Sequence, residues 1–155
     1  MVLILKKRLK QKKFDSAEQV ALLNILVTAN FLRMKIDNAC SKFGITATQF
    51  NMLRILNGKY PEGYPRREII NRMIEPAPDV TRLIDRLIKQ GLVERFTSAD
   101  DRRLSVARIT KKGIKVLEKT KPKINDLNSL ISDNLTPGEI RKISDSLEKI
   151  YGPYI

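Results

Sequence analysis

Apolar residues recur at helical spacing from Ser16 to Phe43, a stretch that contains neither glycine nor proline. Asp15 or Ser16 is suited to cap the start of this helix, and Gly44 is suited to end it. The apolar residues form two stripes: Val20, Leu23, Val27, Phe31 and Met34 on one, and Leu22, Leu26, Ala29, Ile36, Ala39, Cys40 and Phe43 on the other. Because a helix that is apolar on two faces needs two packing partners, the pattern predicts contact with a second subunit.

Shorter helical patterns follow, separated by breaks that are rich in glycine and proline. Thr46-Ala47-Thr48-Gln49 has the spacing of a capping box and predicts a helix that reaches Leu56. A loop is expected over Gly58–Pro65, a short helix over Arg66–Ile74 and a tight break over Glu75–Pro78.

A further helix is predicted from about Asp79 to Gln90. Pro78 suits its first position, because the missing N–H of proline costs nothing there. The predicted buried stripe consists of Val80, Leu83, Ile84, Leu87 and Ile88. Gly91 then ends the helix.

The periodicity switches to that of strands after Gly91. Leu92–Phe96 and Arg103–Ile109 read as two strands joined by a polar turn over Thr97–Arg102, which together predict a β-hairpin. The order of short helix, tight turn, helix and hairpin is the plan of a winged helix-turn-helix.

Helical periodicity returns from Lys111 to about Ile131, where Pro122 predicts a kink. A second capping box at Thr136 opens a last helix, whose inward positions are expected to be Ile140, Ile143, Leu147 and Ile150. The expected fold class is mainly α with a small β-hairpin wing. It divides into a basic extension (1–14), a dimerisation helix (15–45), a winged helix-turn-helix (46–110) and C-terminal dimerisation helices (111–155).

Charge narrows the class of partner. The chain has a net charge of +13, and residues 1–14 contain six basic residues and no acidic ones. This favours an anionic partner, with nucleic acid first and an anionic membrane second.

The residue types that are missing exclude other functions. The chain has no histidine, and its single cysteine is Cys40, so metal sites and histidine catalysis are not expected. No glycine-rich phosphate loop is present, and we therefore expect no cofactor and no enzymatic activity. The segment Met1–Leu5 is too short to span a membrane and lacks the order of a signal peptide, so we expect a cytoplasmic protein.

The predicted helix over 79–90 can read bases. Its exposed side offers Thr81, Arg82 and Arg86, and arginine can pair with guanine through two hydrogen bonds. The hairpin tip, residues 97–103, offers Arg102 and Arg103 to the minor groove or to phosphates. The pattern therefore predicts a DNA-binding protein whose recognition helix lies in the major groove.

Four spaced segments resemble the MarR (multiple antibiotic resistance regulator) family. They are Val80-Thr81-Arg82-Leu83-Ile84-Asp85-Arg86-Leu87, Gly91-Leu92-Val93-Glu94-Arg95, Asp101-Arg102-Arg103 and Ile109-Thr110-Lys111-Lys112-Gly113. The resemblance covers about Ile45 to Lys119. It implies a homodimeric transcriptional regulator, expected to be a repressor, that binds double-stranded DNA in a sequence-specific manner.

The resemblance also implies roles for single residues. Asp79 matches a position of the recognition helix, as do Thr81, Arg82 and Arg86, and Asp101 would hold Arg103 for entry into the minor groove. Members of this family often respond to small aromatic molecules or to oxidants, so an effector of unknown identity is expected. Candidate pocket residues are Phe31, Met34, Phe50 and Tyr64, which core packing explains equally well. For Cys40, a buried structural role is favoured over a sensor.

Two alternatives concern the basic start of the chain. The protein could be a winged-helix module that binds nucleic acid without sequence preference, which residues 1–14 favour. It could also be a membrane-surface protein that uses residues 1–13 as a short basic anchor.

Overall fold

The elements below come from a computed structural model that describes residues 3–75, 79–97 and 104–155. The helices are α1 (Leu3–Leu9), α2 (Ala17–Ser41), α3 (Ala47–Asn57), α4 (Arg66–Arg72), α5 (Val80–Lys89), α6 (Lys111–Asn125), α7 (Ser129–Ser132) and α8 (Pro137–Tyr151). The strands are β1 (Tyr64–Pro65), β2 (Val93–Thr97) and β3 (Ser105–Ile109), and 3₁₀ turns lie at Asp126–Asn128 and Gly152–Tyr154. The fold is mainly helical with a small antiparallel sheet, as the hydrophobic pattern predicts.

Local capping fixes the starts of three helices. The Ser16 hydroxyl accepts a hydrogen bond from the Gln19 N–H, which begins α2. Thr46 begins α3 and Thr136 begins α8, each through a reciprocal capping box with the residue three positions later. All three predicted caps are confirmed.

The sheet has three strands in the order β1-β3-β2. The predicted hairpin is confirmed, with Val93 opposite Ile109 and Thr97 opposite Ser105. The prediction of a loop up to Pro65 is wrong at its end, because Tyr64–Pro65 pairs with β3. Gly63, with φ of +79°, lets the backbone approach β3 so closely that a Cβ there would overlap the Ala107 carbonyl.

One hydrophobic core joins the helix-turn-helix, the sheet and the adjoining helices. Its fully buried side chains include Met52, Leu53, Leu56, Ile69, Val80, Leu87, Val93 and Ile109. Cys40 near the end of α2 and Leu117 of α6 belong to the same cluster. The predicted inward stripe of α5 is confirmed, with Val80, Ile84 and Leu87 buried and Leu83 and Ile88 partly buried.

The last helix differs from its prediction. Ile143, Leu147 and Ile150, expected to face inward, are 45%, 37% and 59% exposed in the single chain. Leu22 and Leu26, on the second stripe of α2, are exposed as well. Periodicity finds an apolar face correctly, but it does not tell whether the same chain covers that face.

Several boundaries also differ. Residues 1–14 contain a separate helix, α1, which buries Leu5 and ends where Lys10 takes a φ of +53°. Helix α4 stops at Arg72 instead of Ile74, because Met73 adopts an extended backbone. The helix predicted from Lys111 to Ile131 is α6, which contains Pro122, followed by a 3₁₀ turn and α7. Over the described residues, no helix is both long and apolar enough to cross a membrane.

Candidate DNA-binding surface

Helix α5 is fixed at its N-terminus by a carboxylate. Asp79 is the N-cap: its Oδ1 accepts the Arg82 backbone N–H at 3.0 Å, and its Oδ2 lies 2.9 Å from Arg82 Nε. An Asp cap satisfies a free N–H and opposes the positive end of the helix dipole. The first helical residue is Val80, and Pro78, predicted for that position, lies outside the described residues.

The other end of α5 is held by α6. Gly91 has a φ of +70°, and the Lys112 ammonium donates to the Gln90 carbonyl oxygen at 2.7 Å. Thr110, the N-cap of α6, donates its hydroxyl to the Gly91 carbonyl. These contacts satisfy carbonyls that the end of a helix leaves open, so α5 is held at both ends and along its buried face.

The free face of α5 carries the residues predicted to read bases. Thr81, Arg82 and Arg86 are all exposed, and the Arg82 side chain is 80% exposed. Arg82 and Arg86 are four residues apart and so lie on the same side of the helix. Within the described part of the chain, Arg86 has no ion-pair partner, so its guanidinium donors are open to a ligand.

Ion pairs connect the hairpin to its surroundings. Arg95 Nη2 of β2 lies 3.0 Å from Asp85 Oδ1 of α5, so the pair joins the hairpin to α5. Arg108 of β3 contacts Glu94 Oε1 at 2.8 Å and donates to the Pro61 carbonyl at 3.1 Å. The predicted wing residues Asp101, Arg102 and Arg103 lie outside the described residues, and their roles stay predictions.

A small cavity lies between α5 and the hairpin. It has a volume of about 220 Å³ and is lined by Arg66, Thr81, Ile84, Arg95, Ser105 and Ala107. Of this set, only Thr81 was predicted from the sequence to contact DNA. The others come together through the packing of α4 and the pairing of β2 with β3, which no short motif records.

A larger cavity lies where α2 meets the helix-turn-helix. Its volume is about 520 Å³, and its lining includes Leu32, Ile36, Phe50, Met73 and Ile124. Arg33 of α2 and Glu75, which also line it, form an ion pair with 2.7 Å between Nη2 and Oε1. We call this space the interlobe cavity.

Of the candidate pocket residues, only some lie at this cavity. Phe50 lines the interlobe cavity, whereas Phe31 and Met34 are exposed on α2. The centre of the Tyr64 ring lies instead near two cations, 5.1 Å from Lys59 Nζ and 4.7 Å from the Arg72 guanidinium carbon.

Cys40 is fully buried, as predicted. Burial, followed in size by the nearby Asp37 carboxylate, raises the pKa of its thiol from 9.0 to about 11. Because the thiolate is the reactive form, such a cysteine is poorly suited to sense oxidants. Among the side chains described, no group of three metal ligands occurs.

A helix-turn-helix whose second helix exposes arginines and is followed by a hairpin defines a winged-helix DNA-binding protein. The model of the MarR family matches residues 45–105. The curated "HTH-type transcriptional regulator MhqR" of Bacillus subtilis is 27% identical over 113 residues, which is 70% of this chain and 74% of that protein.

Solved structures extend the likeness to almost the whole chain. A MarR transcription factor from Planctomyces limnophilus is 32% identical with a TM-score of 0.66, covering 88% of this chain and 98% of the other. The protein therefore belongs to the MarR family, whose members regulate transcription by binding DNA.

Two further structures share the fold at lower identity. MepR of Staphylococcus aureus, solved in complex with DNA, has a TM-score of 0.78 at 20% identity and covers 91% of this chain and 99% of its own. CouR of Rhodococcus jostii, solved with p-coumaroyl-CoA bound, has a TM-score of 0.76 at 18% identity and covers 92% and 99%.

Proposed function

We propose that the protein is a homodimeric repressor that binds double-stranded DNA sequence-specifically, with α5 in the major groove and residues 97–103 at the minor groove. We further propose that it acts in the cytoplasm. The observation that carries the proposal is the free face of α5, where Arg82 and Arg86 are exposed on a helix that is held at both ends.

The apolar faces left exposed on the single chain support the proposal of a homodimer. Leu22 and Leu26 of α2, together with the stripe on α8, need cover in water. A second copy supplies a matching face by symmetry, since a two-fold interface uses the same patch on both subunits. Two recognition helices related by a two-fold axis would read a palindromic site.

Selection of bound DNA from a random duplex library tests sequence specificity. We expect a palindrome with half-sites about one helical turn, roughly 34 Å, apart. Arg82→Ala should change the preferred base at one position per half-site, and it leaves the Asp79 cap intact because that cap uses the Arg82 backbone N–H. Arg141→Ala, an exposed arginine of α8, is the matched control.

The outcome separates this proposal from its alternative. A library without enrichment, bound equally by Arg82→Ala and Arg141→Ala, would favour a winged-helix protein that coats nucleic acid without preference. Repression is tested by in vitro transcription from a promoter that carries the selected site. Added protein should reduce the transcript, and an increase would overturn the repressor assignment.

We also propose that the interlobe cavity binds a small-molecule effector. Its walls are mostly apolar, with Arg33, Asp37, Arg54 and Glu75 also in the lining, and its volume of about 520 Å³ lies within the usual range for small-molecule sites. CouR, which shares the fold, was solved with p-coumaroyl-CoA. A thermal-shift screen of aromatic acids should find a stabilising compound that wild type binds and Ala29→Phe, which narrows the cavity, does not. Equal shifts in both proteins would contradict the site.

A further inference from the structure

We propose that the 220 Å³ cavity between α5 and the hairpin is the seat of one DNA backbone phosphate. This inference rests on the proposed function. It assigns a ligand, a phosphodiester, to a cluster that combines residues of α4, α5, β2 and β3.

The position of the cavity matches the geometry of a duplex. The sugar-phosphate backbone separates the major groove from the minor groove. When α5 lies in the major groove and the hairpin tip reaches the minor groove, one strand has to cross the gap between them. The cavity lies in that gap, because Thr81 and Ile84 of α5 form one wall and Arg95 and Ser105 of the hairpin form another.

The chemistry of the cavity suits a single negative charge. Thr81 and Ser105 each offer a hydroxyl, and Arg66 has no ion-pair partner among the residues described. Arg95 uses its Nη2 on Asp85, which leaves further N–H donors of its guanidinium. With Arg66 and Arg95 positive and Asp85 negative, the local charge is +1, which one phosphodiester neutralises.

The size and the floor of the cavity agree with this reading. At about 30 Å³ per water, 220 Å³ holds roughly seven waters, which is enough for a phosphate group and some hydration. Ile84 and Ala107 are buried and apolar, so the polar side-chain atoms that can bind a ligand belong to the other four lining residues.

A phosphate bound in this cavity would also fix the position of the protein along the DNA sequence. Its donors come from four elements, so it fixes how α5 and the hairpin lie relative to the same strand. Contacts to phosphates position a protein on the duplex and leave discrimination to the contacts with bases. The seat would therefore place Arg82 and Arg86 over their bases.

Arg66→Ala is the main test, and Arg67→Ala is its matched control, because the two arginines are adjacent and both exposed. On the selected duplex, Arg66→Ala should weaken binding about tenfold at 0.15 M salt, the scale of one charge-assisted contact. It should also reduce the slope of log K against log salt by about 0.9. Arg67→Ala should change neither quantity, and both variants should keep the melting temperature of wild type.

Duplexes with one uncharged methylphosphonate at a time locate the phosphate. A methylphosphonate at one phosphate of each half-site should weaken the binding of wild type. The same methylphosphonate should weaken the binding of Arg66→Ala no further. For Ser105→Ala, it should still weaken binding, but by less than for wild type. Equal binding by Arg66→Ala and Arg67→Ala would overturn the phosphate site. It would also be overturned if the affinity lost in Arg66→Ala stayed the same on every methylphosphonate duplex. Either result would leave the proposed function intact. A wild type that enriches no duplex would overturn both.

Discussion

Ile150 offers a quantitative test of the homodimer. It lies on the apolar face of α8 with Ile143 and Leu147, and 59% of it is exposed in the single chain. Ile150→Ala removes three carbons from each subunit, and burying one CH₂ contributes about 0.8 kcal/mol. The dimer would then lose roughly 5 kcal/mol of association free energy, if each side chain passed from full exposure to full burial on association.

Only the exposed part of Ile150 can be buried by association and so contribute to its free energy. Scaling by the 59% that remains uncovered gives a loss of about 3 kcal/mol per dimer. This corresponds to a dissociation constant that is roughly a hundredfold higher. The folded subunit itself should lose only about 1 kcal/mol of stability, since less than half of Ile150 is covered within it.

Sedimentation velocity over a dilution series measures the dissociation constant. Lys149→Ala, an exposed neighbour on the same helix, is the control and should leave it unchanged. An Ile150→Ala constant within threefold of wild type would refute the assignment of this face to the dimer. A wild type that is monomeric at micromolar concentration would refute the homodimer itself.

Three further predictions concern the lobe that carries α5. Gly113→Ala should destabilise the fold by about 2 kcal/mol in urea unfolding, because the new Cβ would overlap the Leu92 carbonyl oxygen, whereas Gly138→Ala, which meets nothing within 4 Å, should be close to neutral. Asp79→Ala should cost about 1 kcal/mol of stability through the lost cap and should weaken DNA binding, measured by denaturation and by fluorescence anisotropy; unchanged values in both assays would contradict its role. At pH 8 the Cys40 thiol should be alkylated at least about a hundredfold more slowly in the native protein than in denaturant, since its pKa rises from 9.0 to about 11 and it is buried; equal rates would show that the site is open.

The start of a helix can be predicted well from sequence, because its cause is local. The hydroxyls of Ser16, Thr46 and Thr136 accept N–H groups three residues away, so a window of four residues contains the whole interaction. The free face of α5 is predictable for the same reason, since one helical period separates its buried residues from its exposed ones.

Features that depend on pairing over long distances in the chain were missed. Tyr64–Pro65 becomes a strand only because β3, more than forty residues later, lies beside it, and two residues show no period of their own. The Asp85–Arg95 ion pair likewise depends on how the hairpin packs on α5. Arg66 joins the phosphate seat through the fold, and nothing in its sequence neighbourhood distinguishes it from Arg67.

The placement of the interlobe cavity indicates how an effector would act on DNA binding. The segment from Met73 to Glu75 lines the cavity and leads towards Asp79, which caps α5. The Arg33–Glu75 pair that spans from α2 to this segment is about half exposed, so it contributes at most about 1 kcal/mol and a ligand can break it cheaply. Helix α5 is packed along its whole buried face and would respond by moving as a unit. Since coupling between two sites is reciprocal, bound operator DNA must weaken effector binding by the same factor by which the effector weakens DNA binding.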